Sequence, residues 1–178
     1  MNIQSIIPVV SNWPKPGVNF LDITALLENP EELTYCTEYL VKHINLFRAT
    51  SIVAVESRGF PFGAVAAHVC GLPMILARKP NKLPGAVFSQ SYNTEYSTDT
   101  IEIKQNARVG SRPIIVDDLL ATGGTVMAVA NLLRNNFAVE EIAAAVIIHP
   151  KFLPVHDQLA ANSIKLFSLP LSLIVAFS

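Results

Sequence analysis

Residues 114–116 are Ile-Ile-Val, a β-prone apolar run that leads straight into Asp117 and Asp118. Leu119, Leu120 and Ala121 follow, then the small-residue turn Thr122-Gly123-Gly124-Thr125, and residues 126–134 carry a helical pattern. A short apolar run bounded by acids and a glycine turn reads as a buried strand, a loop and a helix start. This unit constrains the chain to an α/β fold, and loops at the carboxyl end of a parallel strand are where open α/β sheets bind ligands. The N–H groups of residues 122–125 can converge on a phosphate at the positive end of the following helix. Asp117 and Asp118 would repel that phosphate in direct contact. A more natural task for them is to hold hydroxyls, or a metal-bound group, of the same ligand. A sugar phosphate meets both requirements.

Residues 3–10 suggest a short helix. Residues 12–20, with two prolines and Gly17, form an ordered, non-helical segment. Its Trp13 and Phe20 read as core anchors, or Phe20 supplies a flat face for a flat ligand. Asn29-Pro30-Glu31-Glu32 is a helix start: a capping side chain, a proline suited to the first position and two acids at the positive end. Apolar residues at helical spacing carry that helix to about Arg48, with His43 as a packing residue on its apolar stripe.

Residues 51–55 are a second buried strand. It runs into Glu56-Ser57-Arg58-Gly59-Phe60, then a helix over 61–70 closed by Gly71. Glu56 and Arg58 read alone as a surface ion pair; beside a phosphate loop, Arg58 becomes a candidate for a second anionic group. Residues 73–77 are a further strand, ending in Arg78, Lys79 and Lys82 among prolines. Residues 87–92 and 100–104 alternate as two antiparallel strands, a hairpin suited to a mobile flap. Residues 142–148 are another buried strand, with His149 after it as an incidental loop histidine. A short helix near 155–159 and strands at 164–167 and 171–176 complete the chain. Strands alternating with helices imply a mostly parallel sheet flanked by helices on both faces.

Composition narrows the function classes. The chain has 178 residues, enough for one domain over 1–178. Hydrophobic residues make up 51% and charged residues 15%, which leaves apolar surface for an oligomer interface. A net charge of -1 gives no general attraction to nucleic acid or membrane. Cys36 and Cys70 lack metal-ligand spacing and read as buried free thiols in a reducing cytosol. The first residues carry no basic stretch before an apolar run, so no secretory leader is expected. The apolar tail at 166–177 contains Pro170 and is too short to span a bilayer. The expectation is a cytoplasmic protein.

The stretch from Val116 to Thr125 resembles the phosphoribosyl pyrophosphate signature of the type I phosphoribosyltransferases. Four further segments, in order, resemble the adenine-using branch of that family: residues 14–24, 56–60, 78–85 and 91–96. The resemblance covers nearly the whole chain. It implies a core of five parallel strands, an N-terminal hood over residues 1–28, a flexible flap hairpin over 78–104 and a homodimer. It implies that adenine and phosphoribosyl pyrophosphate give AMP and pyrophosphate, with Mg²⁺ bound mainly through pyrophosphate and ribose oxygens rather than directly by the protein.

By position, the resemblance implies that Asp117 and Asp118 meet the ribose hydroxyls. Ala121, Thr122, Gly123, Gly124 and Thr125 bind the 5′-phosphate. Arg58, Arg78, Lys79 and Lys82 serve the pyrophosphate, some of them across the dimer. Phe20 stacks on adenine, with backbone groups at Asn19 and Leu21 reading its edge. Glu95 takes the proton of the base, next to Tyr96 in the same motif. A non-proline cis peptide is implied at Glu56-Ser57. One departure stands out: the family usually has Arg or Lys where this chain has Leu21. Two alternatives follow. One is the same fold with hypoxanthine, guanine or xanthine as acceptor, favoured only by Leu21. The other is a non-catalytic regulator that senses phosphoribosyl pyrophosphate or purine nucleotides. Against it stand the absence of a DNA-binding module before residue 20, the lack of a basic footprint, and a flap that carries both cations and Glu95.

Overall fold

The protein is described by a computed structural model covering residues 7–13, 15–17, 19–93, 98–149 and 155–169. A two-stranded antiparallel ribbon comes first, β1 (Val9–Ser11) with β2 (Asn19–Leu21). Short α1 (Thr24–Glu28) and long α2 (Pro30–Phe47) follow. Then come β3 (Ser51–Val55), α3 (Gly59–Cys70), β4 (Met74–Ala77), β5 (Val87–Asn93) and β6 (Thr98–Lys104). The chain continues with β7 (Pro113–Leu119), α4 (Gly124–Asn136), β8 (Ile142–Ile148), α5 (Val155–Ala161) and β9 (Ile164–Ser168).

Five strands form one parallel sheet in the order β4-β3-β7-β8-β9. The uninterrupted apolar runs of β3 and β8 follow from this: a parallel sheet covered on both faces leaves no polar side to alternate with. Ile52, Ile114, Val116, Ala143, Ala145 and Ile147 pack with α1, α2 and α3. Their neighbours Val53, Ile115, Ala144 and Val146 pack with α4 and the hairpin on the other face. Adjacent strands β3 and β7 thus send their helices to opposite faces. In such sheets the crevice at that reversal receives the ligand.

Local signals account for the helix ends. Asn29 Oδ1 accepts from the Glu31 N–H at 3.1 Å, and Pro30 opens α2. Arg48 closes α2 in a left-handed conformation, and Gly71 does the same for α3 at φ 65°. His43 packs as expected: its Nδ1 meets the Tyr39 carbonyl at 2.8 Å, between the rings of Tyr39 and Phe167.

Several boundaries differ from the sequence reading. The helix expected over 3–10 meets a strand at Val9 and Val10, because these residues pair with Phe20 and Leu21; residues 1–6 lie outside the described ones. Strand β7 runs through both acids to Leu119, held by its ladder to β8 after its pairing with β3 has ended. Cys36 is buried, but Cys70 at the end of α3 is only half-buried. The strand expected at 171–176 lies outside the described residues. No helix among the described residues is long and apolar enough to cross a membrane.

Candidate functional site

A cleft of about 300 Å³ opens where the loops after β3 and β7 emerge side by side. Residues 56–58, Lys79 and 117–126 line it together with Tyr92 and Asp99 of the hairpin. Asp117, Asp118, Arg58, Lys79 and Ala121–Thr125 therefore come together, although they are spread over 68 positions of sequence (58 to 125).

Strand geometry separates the two acids. Consecutive residues of an extended strand point to opposite faces. Asp118 follows Ile114 and Val116 towards the α3 side and is 2% exposed, and its Oδ2 lies 3.1 Å from Arg58 Nε. Asp117 leaves the strand on the other side, but its Oδ1 curls back to accept the Asp118 N–H at 2.9 Å and lies beside Gly59 at the start of α3. Burial, reinforced by the charge of Asp118, holds the Asp117 carboxyl well above the ordinary range. Asp118 Oδ2 and Arg58 Nη1 are both buried without a hydrogen-bond partner, so this pair has bonding capacity left for a ligand.

The phosphate turn has the form its sequence suggests. Gly123 takes φ 78°, and α4 starts at Gly124 with no side-chain cap. The first N–H groups of a helix lack partners within it, so an uncapped start facing a cleft suits an anion. A side chain on Gly123 would also meet Val155 Cγ1 at 2.7 Å.

Glu56 and Arg58 do not form the surface ion pair that the segment suggests when read alone, because each has another partner. Arg78 clamps Glu56 through Nε and Nη2 at 3.2 and 3.1 Å, and the Lys79 N–H donates to the same carboxyl at 2.9 Å. Desolvation pushes Glu56 upward, but the hydrogen bonds from Arg78 and Lys79 outweigh it, and the carboxyl sits below its ordinary value. Arg78 also donates to the Lys82 carbonyl at 3.0 Å. Arg78 and Lys82 thus shape the basic loop, and neither lines the cleft. The Glu56-Ser57 peptide is cis.

The N-terminal ribbon corrects the core-anchor reading. Trp13 is 50% exposed and Phe20 half-buried, their ring centroids 4.3 Å apart. Arg58 Cζ lies 4.9 Å from the Phe20 centroid, so the ring stands beside the cleft through Arg58 rather than in the core. Asn19 is half-buried on the same strand. The inward residue of β2 is Leu21, 3% exposed within the α1–α2 core. Glu95 and Tyr96 lie outside the described residues. His149 is 8% exposed, and burial and nearby His156 keep its imidazole below the usual pKa; it does not line the cleft.

Sequence reading missed Tyr92 and Asp99. The Thr125 hydroxyl donates to the Tyr92 hydroxyl at 3.2 Å, and Lys79 Nζ pairs with Asp99 Oδ2 at 3.1 Å. No local motif announces either contact. Among the described residues, no group of three or more His, Cys, Asp or Glu is arranged to hold a metal. Asp118 is engaged by Arg58, so an ion such as Mg²⁺ at this cleft would be held mainly by water and ligand oxygens.

Residues 22–164 match the phosphoribosyl transferase domain family. The adenine phosphoribosyltransferase of Aeromonas salmonicida is 44% identical over 169 residues, spanning 94% of this chain and 92% of its own length. The crystal structure of the Thermoanaerobacter pseudethanolicus adenine phosphoribosyltransferase superposes with a TM-score of 0.86 at 36% identity, covering 94% of this chain and 96% of that one. The Saccharomyces cerevisiae enzyme, solved with an imino-altritol bisphosphate and adenine, gives 0.83 at 30% identity over 93% and 94%. The chain belongs to the phosphoribosyl transferase domain family and, within it, to the adenine phosphoribosyltransferases.

Proposed function

We propose that this protein is a purine-salvage transferase that moves the 5-phosphoribosyl group from phosphoribosyl pyrophosphate to adenine, releasing AMP and pyrophosphate. The observation that carries the reading is the meeting of an acid pair, Asp117 and buried Asp118, and an uncapped, glycine-turned helix start in one cleft. One end suits hydroxyls and the other suits phosphate.

Each residue class then has a task. The N–H groups of residues 121–125 hold the 5′-phosphate. Asp118 and Asp117 fix the ribose hydroxyls and favour the positive charge that grows on the sugar as the bond from C1 to pyrophosphate breaks. Arg58 and Lys79 stabilise the charge gathering on the leaving group, and Arg78 and Lys82 hold the loop that presents Lys79. The attacking nitrogen of neutral adenine must shed a proton, and Glu95 is the carboxylate proposed to take it. Phe20 gives adenine a ring to stack on, with the backbone at Asn19 and Leu21 along its edge. Bound Mg²⁺ would supply charge neutralisation at the pyrophosphate oxygens.

The same reading makes residues 1–28 a hood and 78–104, with Tyr96 beside Glu95, a flap that keeps water from the reacting carbon. It includes a cytoplasmic homodimer, supported by two free thiols and by apolar surface left at Leu46 and Val69. Solution mass tests the dimer. A different purine acceptor draws its support from Leu21 alone, and the burial of that side chain in the core speaks against it. The deciding experiment is a base panel: purified protein, phosphoribosyl pyrophosphate, Mg²⁺ and each purine or orotate in turn, with pyrophosphate release measured. Release with adenine far above the rest is expected. No release with any base would favour a regulator.

A further inference from the structure

Tyr92 on β5 and Asp99 on β6 face each other directly across the hairpin ladder. Both line the cleft, and each holds a group that the proposed reaction assigns to one anionic end of the donor. Tyr92 holds the Thr125 hydroxyl at the phosphate turn, and Asp99 holds Lys79 at the pyrophosphate end. We propose that this cross-strand pair is a two-ended clasp: Tyr92 positions Thr125 for the 5′-phosphate, and Asp99 is a built-in competitor that occupies Lys79 until pyrophosphate displaces it. The proposal rests on the phosphoribosyltransferase reading and adds two positioning residues to it.

The chemistry of the two ends differs. A phenol and an alcohol can exchange roles, since each carries one proton and acceptor lone pairs. Without ligand, the Thr125 hydroxyl donates to Tyr92. With phosphate in the turn, Thr125 can swing its proton to a phosphate oxygen while Tyr92 donates to the Thr125 oxygen. The chain Tyr–Thr–phosphate stays satisfied, and each bond polarises the next. Tyr92 therefore assists the anion. Asp99 cannot, because a carboxylate has nothing to donate to pyrophosphate and repels it. Its pairing with Lys79 must open when pyrophosphate arrives, and it re-forms as pyrophosphate leaves. The hairpin thereby senses both ends of the donor, through neighbours on one rung.

The test measures binding of two probes, ribose 5-phosphate and pyrophosphate with Mg²⁺, by calorimetry on the whole protein. Tyr92→Phe should weaken ribose 5-phosphate by roughly three- to tenfold, the range for one lost hydrogen bond, and leave pyrophosphate binding as it was. Asp99→Asn should tighten pyrophosphate by about threefold, in keeping with a partly exposed ion pair, and leave ribose 5-phosphate as it was. A merely structural role would weaken both probes in both variants, and that result overturns the proposal. So does unchanged binding in either variant. If Tyr92→Phe fails to fold, Asp99→Asn still decides when it is also made in a Lys79→Met background: a gain in pyrophosphate affinity that vanishes there is the release of Lys79, whereas a gain that persists is lost general repulsion and overturns the proposal. Wild-type protein that binds neither probe would sink the functional reading as well; wild-type binding with unaltered variants sinks the clasp alone.

Discussion

Asp117 and Asp118 are neighbours in sequence with different surroundings, and their substitutions should separate accordingly. Asp118 faces Arg58, whose side chain keeps 34% exposure and also lies against the Phe20 ring, so the arginine is not left wholly buried when its partner is neutralised. Asp118→Asn should therefore fold normally and lose more than roughly tenfold in turnover, as expected when a charge opposite the developing sugar cation is removed. Near-normal turnover would remove its assigned role. Asp117 couples folding to pH. Its folded pKa is raised, by burial first and by Asp118 second, above an ordinary value of 3.8. The native state then binds its proton more tightly than the unfolded chain. Stability from this group is complete below 3.8 and is lost as pH rises through the elevated native value. Asp117→Asn mimics the protonated form and escapes that loss. Its Tm should match wild type near the bottom of this window and exceed it increasingly as pH rises. A constant gap, or a wild type that gains on the variant with pH, would contradict the assignment.

At the scale of elements, the site depends on how closely α3 approaches β7. Gly59, the first residue of α3, has no side chain where one would lie 2.6 Å from the Val116 carbonyl oxygen and 3.2 Å from Asp117 Cα. The contact involves backbone, which cannot rotate away. Gly59→Ala must shift the start of α3, and Arg58 immediately before it, away from the acids. Overpacking of this kind costs about 1–3 kcal/mol. The expected result is a lower Tm together with weaker binding of ribose 5-phosphate, read by thermal melting and calorimetry on one preparation. Loss of stability with binding unchanged would show that the acids and Arg58 do not depend on this approach.

Across the whole molecule, legibility follows the range of the interaction. Strands β3 and β8 were readable to the residue because both faces of a parallel sheet must be apolar, and that demand is written locally. The continuation of β7 through Asp117 and Asp118 was not, because it is imposed by a ladder to β8 about 29 residues away, Asp117 opposite Val146. The phosphate turn announces itself through Gly123 and Gly124, whereas the family-like segment 91–96 contains Tyr92 without indicating that it meets Thr125, 33 residues on. Leu21 shows the same limit most sharply. In sequence it stands where a family cation is usual; in the fold, the pairing of β2 with β1 sends Phe20 outward to Arg58 and Leu21 into the core. A cation at that position in this molecule would be forced among Ile7, Ile23 and Leu26. Leu21→Arg should therefore act on stability: lost packing plus an unpaired buried charge cost roughly 3 kcal/mol or more. Leu21→Ala, which loses packing alone, should fall between it and wild type in Tm. In both variants the ratio of adenine turnover to that of other purines should hold, since neither change touches the face that bears Phe20. An Arg variant that melts like wild type but prefers another base would mean that β2 turns this side chain to the ligand after all.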